Sequence, residues 1–527
     1  MAAPLDLDNV QGDILQGLGK KNQTFLFFRI KPNHTTGFRK DLRQFIPLVT
    51  STTEAKNFRQ TIHEAKNEAV KQGKPFDLIE NSGINISFSQ KGLIALGITD
   101  DIGDELFKNG MRADANALGD NLSDWEADFK KEIHGVFIIT ANSKVVLEKT
   151  INKIERVFQV GQVNATMEEV TRLDGHTRPG AEDGHEHFGF NDGISQPAVK
   201  GVDAGVTSEP GEKPVRQGVI LLGREGDDGV APPGGRPAGV KRPSWALDGS
   251  FLAFRYLKQL VPEFNAFLEA NALKMPFPPA PGDPTGAELL GARLVGRWKS
   301  GAPIDLTPLR DNPKLATRQD FRFDPGNQER CPFSAHVRKT NPRSDLDKFG
   351  GTEVRRILRR GITFGPEVTE EEKAAKTSSG DAKLERGLLF ACYQSNLGNG
   401  FHFIQKDWSN TATFPPKTAA KPPVPKPGID PITGVGSPRE MVGASPDINA
   451  SNTVTKFTQQ WVIPRGGEYF FSPSIPALRN TFALPGHNGH GNGNGNGNGN
   501  GNGHGNGHGN GHGNGHGNGH ADDDDEL

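Results

Sequence analysis

The sequence predicts an α+β protein built from two antiparallel-sheet units, and three observations predict it. Strand-like and helix-like segments follow the order β-α-β-β-α-β in the N-terminal part, which is the ferredoxin-like motif. A looser copy of that alternation recurs in the C-terminal part. The chain has 527 residues, more than one core ordinarily organises, so at least two domains are expected.

The elements of the first unit are read in order. QTFLFFRI, residues 23–30, is β-branched and aromatic enough for a buried strand. An amphipathic stretch over about 36–73 predicts helix, broken once or twice. Alternation over 85–90 predicts a strand, and KGLIALG after it a short helix. GVFIIT, 135–140, is another strand. SKVVLEKTINKIERVF, 143–158, places apolar residues at helical spacing, and VNATMEEVTRL, 163–173, returns as a strand.

The second unit begins with GVILLG, 218–223, read as a strand. SFLAFRYL, 250–257, is a strand leading into the helix QLVPEFNAFLEANA. RGLLFACY, 386–393, is a strand, GFHFIQKDW, 400–408, is helical, and residues 461–475 close with strand character. Proline-rich connections interrupt this half at 274–284 and 415–438. The expected domains are 1–210, 211–485, and a tail over 486–527. The tail repeats Gly and Asn with His504, His508, His512, His516 and His520 before an acidic end. It cannot bury enough apolar surface to offset its ordering entropy, so disorder is expected. A solvated repeat and a weak transition-metal binder are the two readings of its histidines.

Composition removes several functions. Lys and Arg number 61 against 63 Asp and Glu, so no nucleic-acid footprint is expected. No run has the length of a transmembrane helix, so no membrane partner is expected. The N-terminus, MAAPLDLDNVQGD, lacks the basic and apolar regions of a secretory signal. Cys331 and Cys392 are the chain's two cysteines, which excludes a disulfide framework or an all-thiolate metal site.

Three separated pieces carry chemistry: GHEHFGFNDGISQP (184–197), CPFSAHVRKTNPR (331–343) and RRILRRGITFG (355–365). Each has an ordinary reading. His336 alone is a satisfied structural histidine, Asp192 between glycines is a turn residue, and Arg359, on an apparent helix, is a surface charge. His185 and His187 could pair on a metal if extended.

Together the pieces resemble the dye-decolorising peroxidases, and of the fungal-like members most closely. The GxxDG element stands as Gly189-Phe190-Asn191-Asp192-Gly193, the second element contains His336, Arg338 and Arg343, and the third contains Arg359. LVGRWKSGAPI (294–304), GLLFACY (387–393), FIQKDWSN (403–410), DPITG (430–434) and PRGGEYFFSPSI (464–475) are similar too. The resemblance covers about 5 to 485. It implies two ferredoxin-like domains of the dimeric α+β barrel type, with one haem b per chain between the sheet and helices of the C-terminal domain.

The resemblance also implies roles. His336 is the proximal ligand of the haem iron, since neutral imidazole is a common axial ligand. Asp192 is the acid/base that moves a proton between the two oxygens of hydrogen peroxide. Arg359 stabilises the negative charge that builds as the O–O bond breaks. Asp192 must be ionised to act as base, so dye oxidation is expected to peak at acidic pH. Asp430 accepts from the far nitrogen of His336, or simply starts a turn. Arg343 pairs with a haem propionate. Leu388 and Phe390 share a strand face and either line the peroxide side or fill ordinary core. Trp408 and Tyr393 either pass electrons to surface-bound donors or pack the core. Asp345, Asp347 and Glu353 are either a manganese(II) site or a solvated surface. His185 and His187, lying inside the family-like stretch, take structural roles.

The expected function is reduction of hydrogen peroxide with oxidation of dyes, phenolics or manganese(II). The alternatives are a haem carrier without turnover and a non-haem metal protein. For location, the resemblance implies an extracellular protein and the N-terminus a cytoplasmic one.

Overall fold

The computed structural model describes residues 4–484, apart from 75, 77–78, 203–213, 230–238, 276, 279, 416–425 and 448–452. The described residues all belong to one compact unit. The His-rich tail lies outside the described residues, and so does the expected domain boundary at 210.

A short helix, α1 (Gly12–Leu15), precedes β1 (Asn22–Ile30). The amphipathic stretch divides into α2 (Thr35–Phe45) and α3 (Thr52–Lys71). The helix α3 starts at a capping box, in which the Ser51 hydroxyl accepts from Glu54 N–H and the Glu54 carboxylate accepts from Ser51 N–H. Then come β2 (Ser82–Phe88), the short helices α4 (Gln90–Ala95), α5 (Glu105–Asn109) and α6 (Met111–Leu118), β3 (Gly135–Ala141), α7 (Lys144–Val157) and β4 (Met167–His176). Every strand pair is antiparallel, in the order β4-β1-β3-β2.

The continuous apolar run of β1 follows from burial on both faces. Phe28 meets Phe38 of α2 at 5.7 Å between ring centroids. On the other face Phe25 and Phe27 meet Phe254 at 4.8 and 5.0 Å.

Phe254 belongs to the second half. Its strands are β5 (Ser250–Gln259), β6 (Leu358–Arg359), β7 (Ile362–Phe364), β8 (Gly387–Gln394) and, after a small ribbon of β9 (Glu440–Val442) and β10 (Val454–Lys456), β11 (Val462–Ser472). Helices α8 (Val261–Ala270), α9 (Gly286–Val295) and α10 (His336–Thr340) lie between β5 and β6. The order β11-β5-β8-β6 repeats that of the first half, so the α+β expectation of two ferredoxin-like units holds.

The halves meet where β2 and β11 share a single register pair, Phe88 with Phe471. Gln11 fills the gap there: its amide donates to Ile86 O and Pro473 O and accepts from Ile86 N–H, each at 2.8 Å. At the far ends β4 reaches β7. A Cβ on Gly175 would lie 2.4 Å from Ile362 Cγ2, and Thr363 Oγ1 donates to His176 O at 2.6 Å. The sheet thus curls toward a closed barrel.

Two expected elements differ. GVILLG is not a strand but a 3-10 turn over Gln217–Val219 followed by further turns. Its apolar residues are all buried, and a short apolar run has no periodicity to tell a buried turn from a strand. Arg359 is not helical but sits on β6, paired with Cys392 of β8. Gly361 lets the chain hug that strand, since a Cβ there would lie 2.9 Å from Leu389 O. Among the described residues, no helix is long and apolar enough to cross a membrane.

Candidate active site

A cavity of about 290 Å³ lies between the face of β5, β8 and β11 and a layer made by α10, the helical turn at 404–409 and the loop after Asp430. His336, Asp192, Arg359, Arg343, Leu388 and Phe390 all line it.

His336 is the first residue of α10. Its Nδ1 lies 2.7 Å from Asp430 Oδ2, which leaves Nε2 as the nitrogen available to the cavity. Asp430 is fully buried. Its Oδ1 accepts from the N–H groups of Ile432 and Thr433 at 2.8 and 3.1 Å, and its Oδ2 accepts from Thr433 Oγ1 at 3.0 Å. Burial pushes this carboxyl up, but His336 and the backbone donors outweigh it and hold it below its ordinary value. Burial likewise pulls the imidazole down, and Asp430 more than restores it, leaving His336 more basic than usual.

Asp192 stands on the loop 189–197. The loop turns at Gly189, whose φ of 92° suits glycine. Glu186 closes that turn from within: its carboxylate accepts from Phe188 and Phe190 N–H, both at 2.9 Å, and from Gln259 Nε2 at 2.5 Å. Burial pushes its carboxyl up. Asp192 Oδ1 accepts from Arg359 Nη1 at 2.5 Å and from Gly193 N–H at 2.6 Å. Burial raises the Asp192 carboxyl, yet Arg359, the Gly193 N–H and His336 together outweigh it and the net displacement is downward. An ionised carboxylate and a guanidinium are therefore held together on the wall facing the imidazole.

Leu388 and Phe390 share a face of β8, as strand alternation requires, and both are half-buried against the cavity. Arg343 has a φ of 48°, uncommon for a non-glycine residue. Its guanidinium donates to Gln319 O and Oε1 at 2.8 and 3.0 Å and lies 4.1 Å above the Phe321 ring.

Other candidates do not join the site. Asp345 forms a bidentate pair with Arg338, both bonds 2.7 Å, Asp347 pairs with Arg322, and Glu353 holds Arg216 at 2.9 Å through its N–H. Each acid has its own arginine, so the three do not converge as a manganese site. Trp408 and Tyr393 are buried rather than at the surface. Trp408 stacks on Phe414 at 5.0 Å; Tyr393, on the face of β8 opposite Leu388 and Phe390, donates to Asp13 Oδ2 at 3.0 Å. His187 Nε2 is bonded to Phe364 O at 2.8 Å, and burial brings the ring down to about 4, so it is neutral and structural. Among the described residues no three metal-binding side chains converge.

Sequence reasoning missed three contributors. Glu186 was hidden between two histidines, and its position three residues before Gly189 was the available signal. Gln196 lies inside the 184–197 segment as a polar loop residue with no chemical signal of its own. Gln319, which joins Arg343 and Arg297, carries no local signal.

Residues 9–179 match the family model described as DyP dimeric alpha+beta barrel domain, and residues 292–414 match Dyp-type peroxidase, C-terminal. The dye-decolorizing peroxidase msp1 of Mycetinis scorodonius is 41% identical over 506 residues, covering 92% of this chain and 89% of that one. The dye-decolorizing peroxidase AauDyP1 of Auricularia auricula-judae is 42% identical, with 90% and 87% covered. Among solved structures, an ancestral D-type dye-decolorizing peroxidase superposes with a TM-score of 0.81 at 50% identity, covering 92% of this chain and all of that one. A dye-decolorizing peroxidase in complex with 2,6-dimethoxyphenol gives 0.76 at 42%, covering 91% and all of that chain.

Proposed function

The chain belongs to the dye-decolorising peroxidases, and we propose that it reduces hydrogen peroxide with electrons drawn from dyes, phenolics and similar one-electron donors. One observation carries this reading: a single cavity has a carboxylate–guanidinium pair on one wall and a carboxylate-backed imidazole on the other.

The donor set fits one haem b per chain. His336 Nε2 would hold the iron, Arg343 would meet a propionate, and Leu388 and Phe390 would lie against the ring. Bound there, haem would supply the redox-active iron through which peroxide receives two electrons. Asp430 keeps the His336 Nδ1 proton in place and raises the basicity of the ring.

Asp192, ionised, takes a proton from the near oxygen of peroxide and delivers it to the far one, which departs as water. Arg359 stabilises the negative charge growing on the departing oxygen and keeps Asp192 ionised in acid. Leu388 and Phe390 exclude bulk water from this exchange. Over a full cycle peroxide takes up two electrons and two protons and becomes two waters, while each of two donor molecules loses one electron. The phenolic compound held by a solved relative supports phenols as donors. Trp408 and Tyr393, being buried, would serve only as interior relays.

The test mixes haem-loaded protein with one equivalent of hydrogen peroxide in a stopped-flow spectrometer. Rapid loss of Soret intensity in wild type, strongly slowed in Asp192→Asn and in Arg359→Leu, is the expected result. Equal rates in all three overturn the assignment of the pair, and a haem-loaded wild type that never reacts leaves a carrier.

A further inference from the structure

We propose that Gln196 is a positioning residue for peroxide reduction: its carboxamide clamps the backbone of Arg359 to the loop that carries Asp192. The inference rests on the peroxidase reading above.

β6 lies at the edge of the sheet, paired on one side with β8. Arg360 N–H donates to Ala391 O at 2.7 Å. By strand alternation the N–H and C=O of Arg359 therefore face away from β8. An edge strand leaves such groups without a ladder partner. Here the side chain of Gln196 bonds to both: Arg359 N–H donates to Gln196 Oε1 at 3.0 Å, and Gln196 Nε2 donates to Arg359 O at 3.2 Å, a carbonyl that Arg360 Nη1 also reaches at 3.1 Å. One amide thus imitates the neighbouring strand.

The same loop grips the other end of the residue. The guanidinium reaches Asp192 Oδ1 at 2.5 Å and Ser195 O at 3.3 Å. Asp192, Ser195 and Gln196 lie within five consecutive positions, so the acid and the arginine move as one body. From the opposite side Lys20 Nζ donates to Arg360 O at 2.6 Å and Arg360 Nε donates to Asp13 O at 2.8 Å. Those contacts tie β6 to the N-terminal segment, whereas Gln196 ties it to Asp192. Charge stabilisation depends on donors already in place before charge develops, and a displacement of about 1 Å can cost about 100-fold in rate.

Gln196→Met keeps the length and removes both hydrogen bonds. Its second-order rate with hydrogen peroxide is expected to fall roughly 10- to 100-fold. The acid limb of that rate is expected to move to higher pH, because Arg359 is no longer fixed beside Asp192. Amide hydrogen exchange in the segment holding Arg359 is expected to quicken, with haem content and the KM for a phenolic donor unchanged. Added to Arg359→Leu, the same substitution is expected to cost nothing more, since it acts through the arginine. If Gln196→Met folds poorly, Gln196→Asn, whose amide is one methylene too short, is expected to behave the same way. A wild-type rate and acid limb overturn the clamp, as does an equal further loss in the Arg359→Leu background. A wild type inert to peroxide overturns the peroxidase reading and the clamp with it.

Discussion

The two halves of the sheet share one strand order, but they treat the layer above the sheet differently. In the N-terminal half the helices rest on the strands, with Phe38 of α2 on Phe28 and Phe158, just beyond α7, on Phe137 at 5.5 Å. In the C-terminal half α10 packs on α9 and on the turn at 404–409, and the cavity lies between that layer and the strands. Strands that carry aromatic rings toward a helix in the first half carry Leu388, Phe390 and Leu257 toward that cavity in the second. The topology is the same, so it does not decide where chemistry happens; the side chains that the loops and helices bring over the sheet do.

This contrast can be broken from either side. The largest effect is expected on the cavity side: Asp192→Asn or Arg359→Leu lowers the peroxide rate about 10²- to 10⁴-fold, with the unfolding midpoint little changed. Stopped-flow rates and denaturant titrations on the same samples check both parts. Next, Phe28→Ala is expected to cost about 3–5 kcal/mol of stability while the peroxide rate per folded molecule stays at the wild-type value. Loss of rate without loss of stability there would mean that the halves are not separable in this way.

Asp430→Asn sharpens the cavity side further. The His336 Nδ1 proton loses its charged acceptor, and haem affinity or activity is expected to fall roughly 10- to 100-fold, read by haem transfer to an acceptor protein. A smaller effect is a shift in pH. Arg359 holds the Asp192 carboxyl below its ordinary value, so wild type keeps its base ionised as pH falls and loses it only on passing that lowered value. In Arg359→Leu the downward pull of the guanidinium is lost and burial is opposed by the Gly193 N–H and His336, so the carboxyl rises and the acid limb of the residual rate is expected at higher pH. An unmoved limb would show that another group titrates. The smallest effect lies in the first half: Ser51→Ala removes one side of the α3 capping box and is expected to cost about 1 kcal/mol, with no change in peroxide rate.

Much of both halves was legible in the sequence, for local reasons. The run TFLFF, the amphipathic period of 143–158 and the alternation near 85–90 each depend on neighbours within one element, and the strands and helices stand close to where they were expected. The chemistry-bearing residues were legible as types in spaced motifs: an acid between glycines, a histidine opening HVRKT, an arginine before Gly361. The buried turn at 217–223 was not, because burial from all sides removes the period that separates a strand from anything else. The apparent helix at Arg359 failed similarly, since charged flanks hid a two-residue edge strand.

What only the tertiary structure decided is which side chains meet. Asp192 and Arg359 are 167 residues apart and His336 and Asp430 are 94 apart, and no local pattern encodes such distances. The same folding paired Asp345, Asp347 and Glu353 each with an arginine, and buried Trp408 and Tyr393. It also gave Gln196 its partner. A carboxamide in a loop has no assigned task until an edge strand arrives beside it with one N–H and one C=O to satisfy. Residue types and local periods are properties of the chain, but partners are set by the closure of the barrel, which brings distant segments within hydrogen-bond reach.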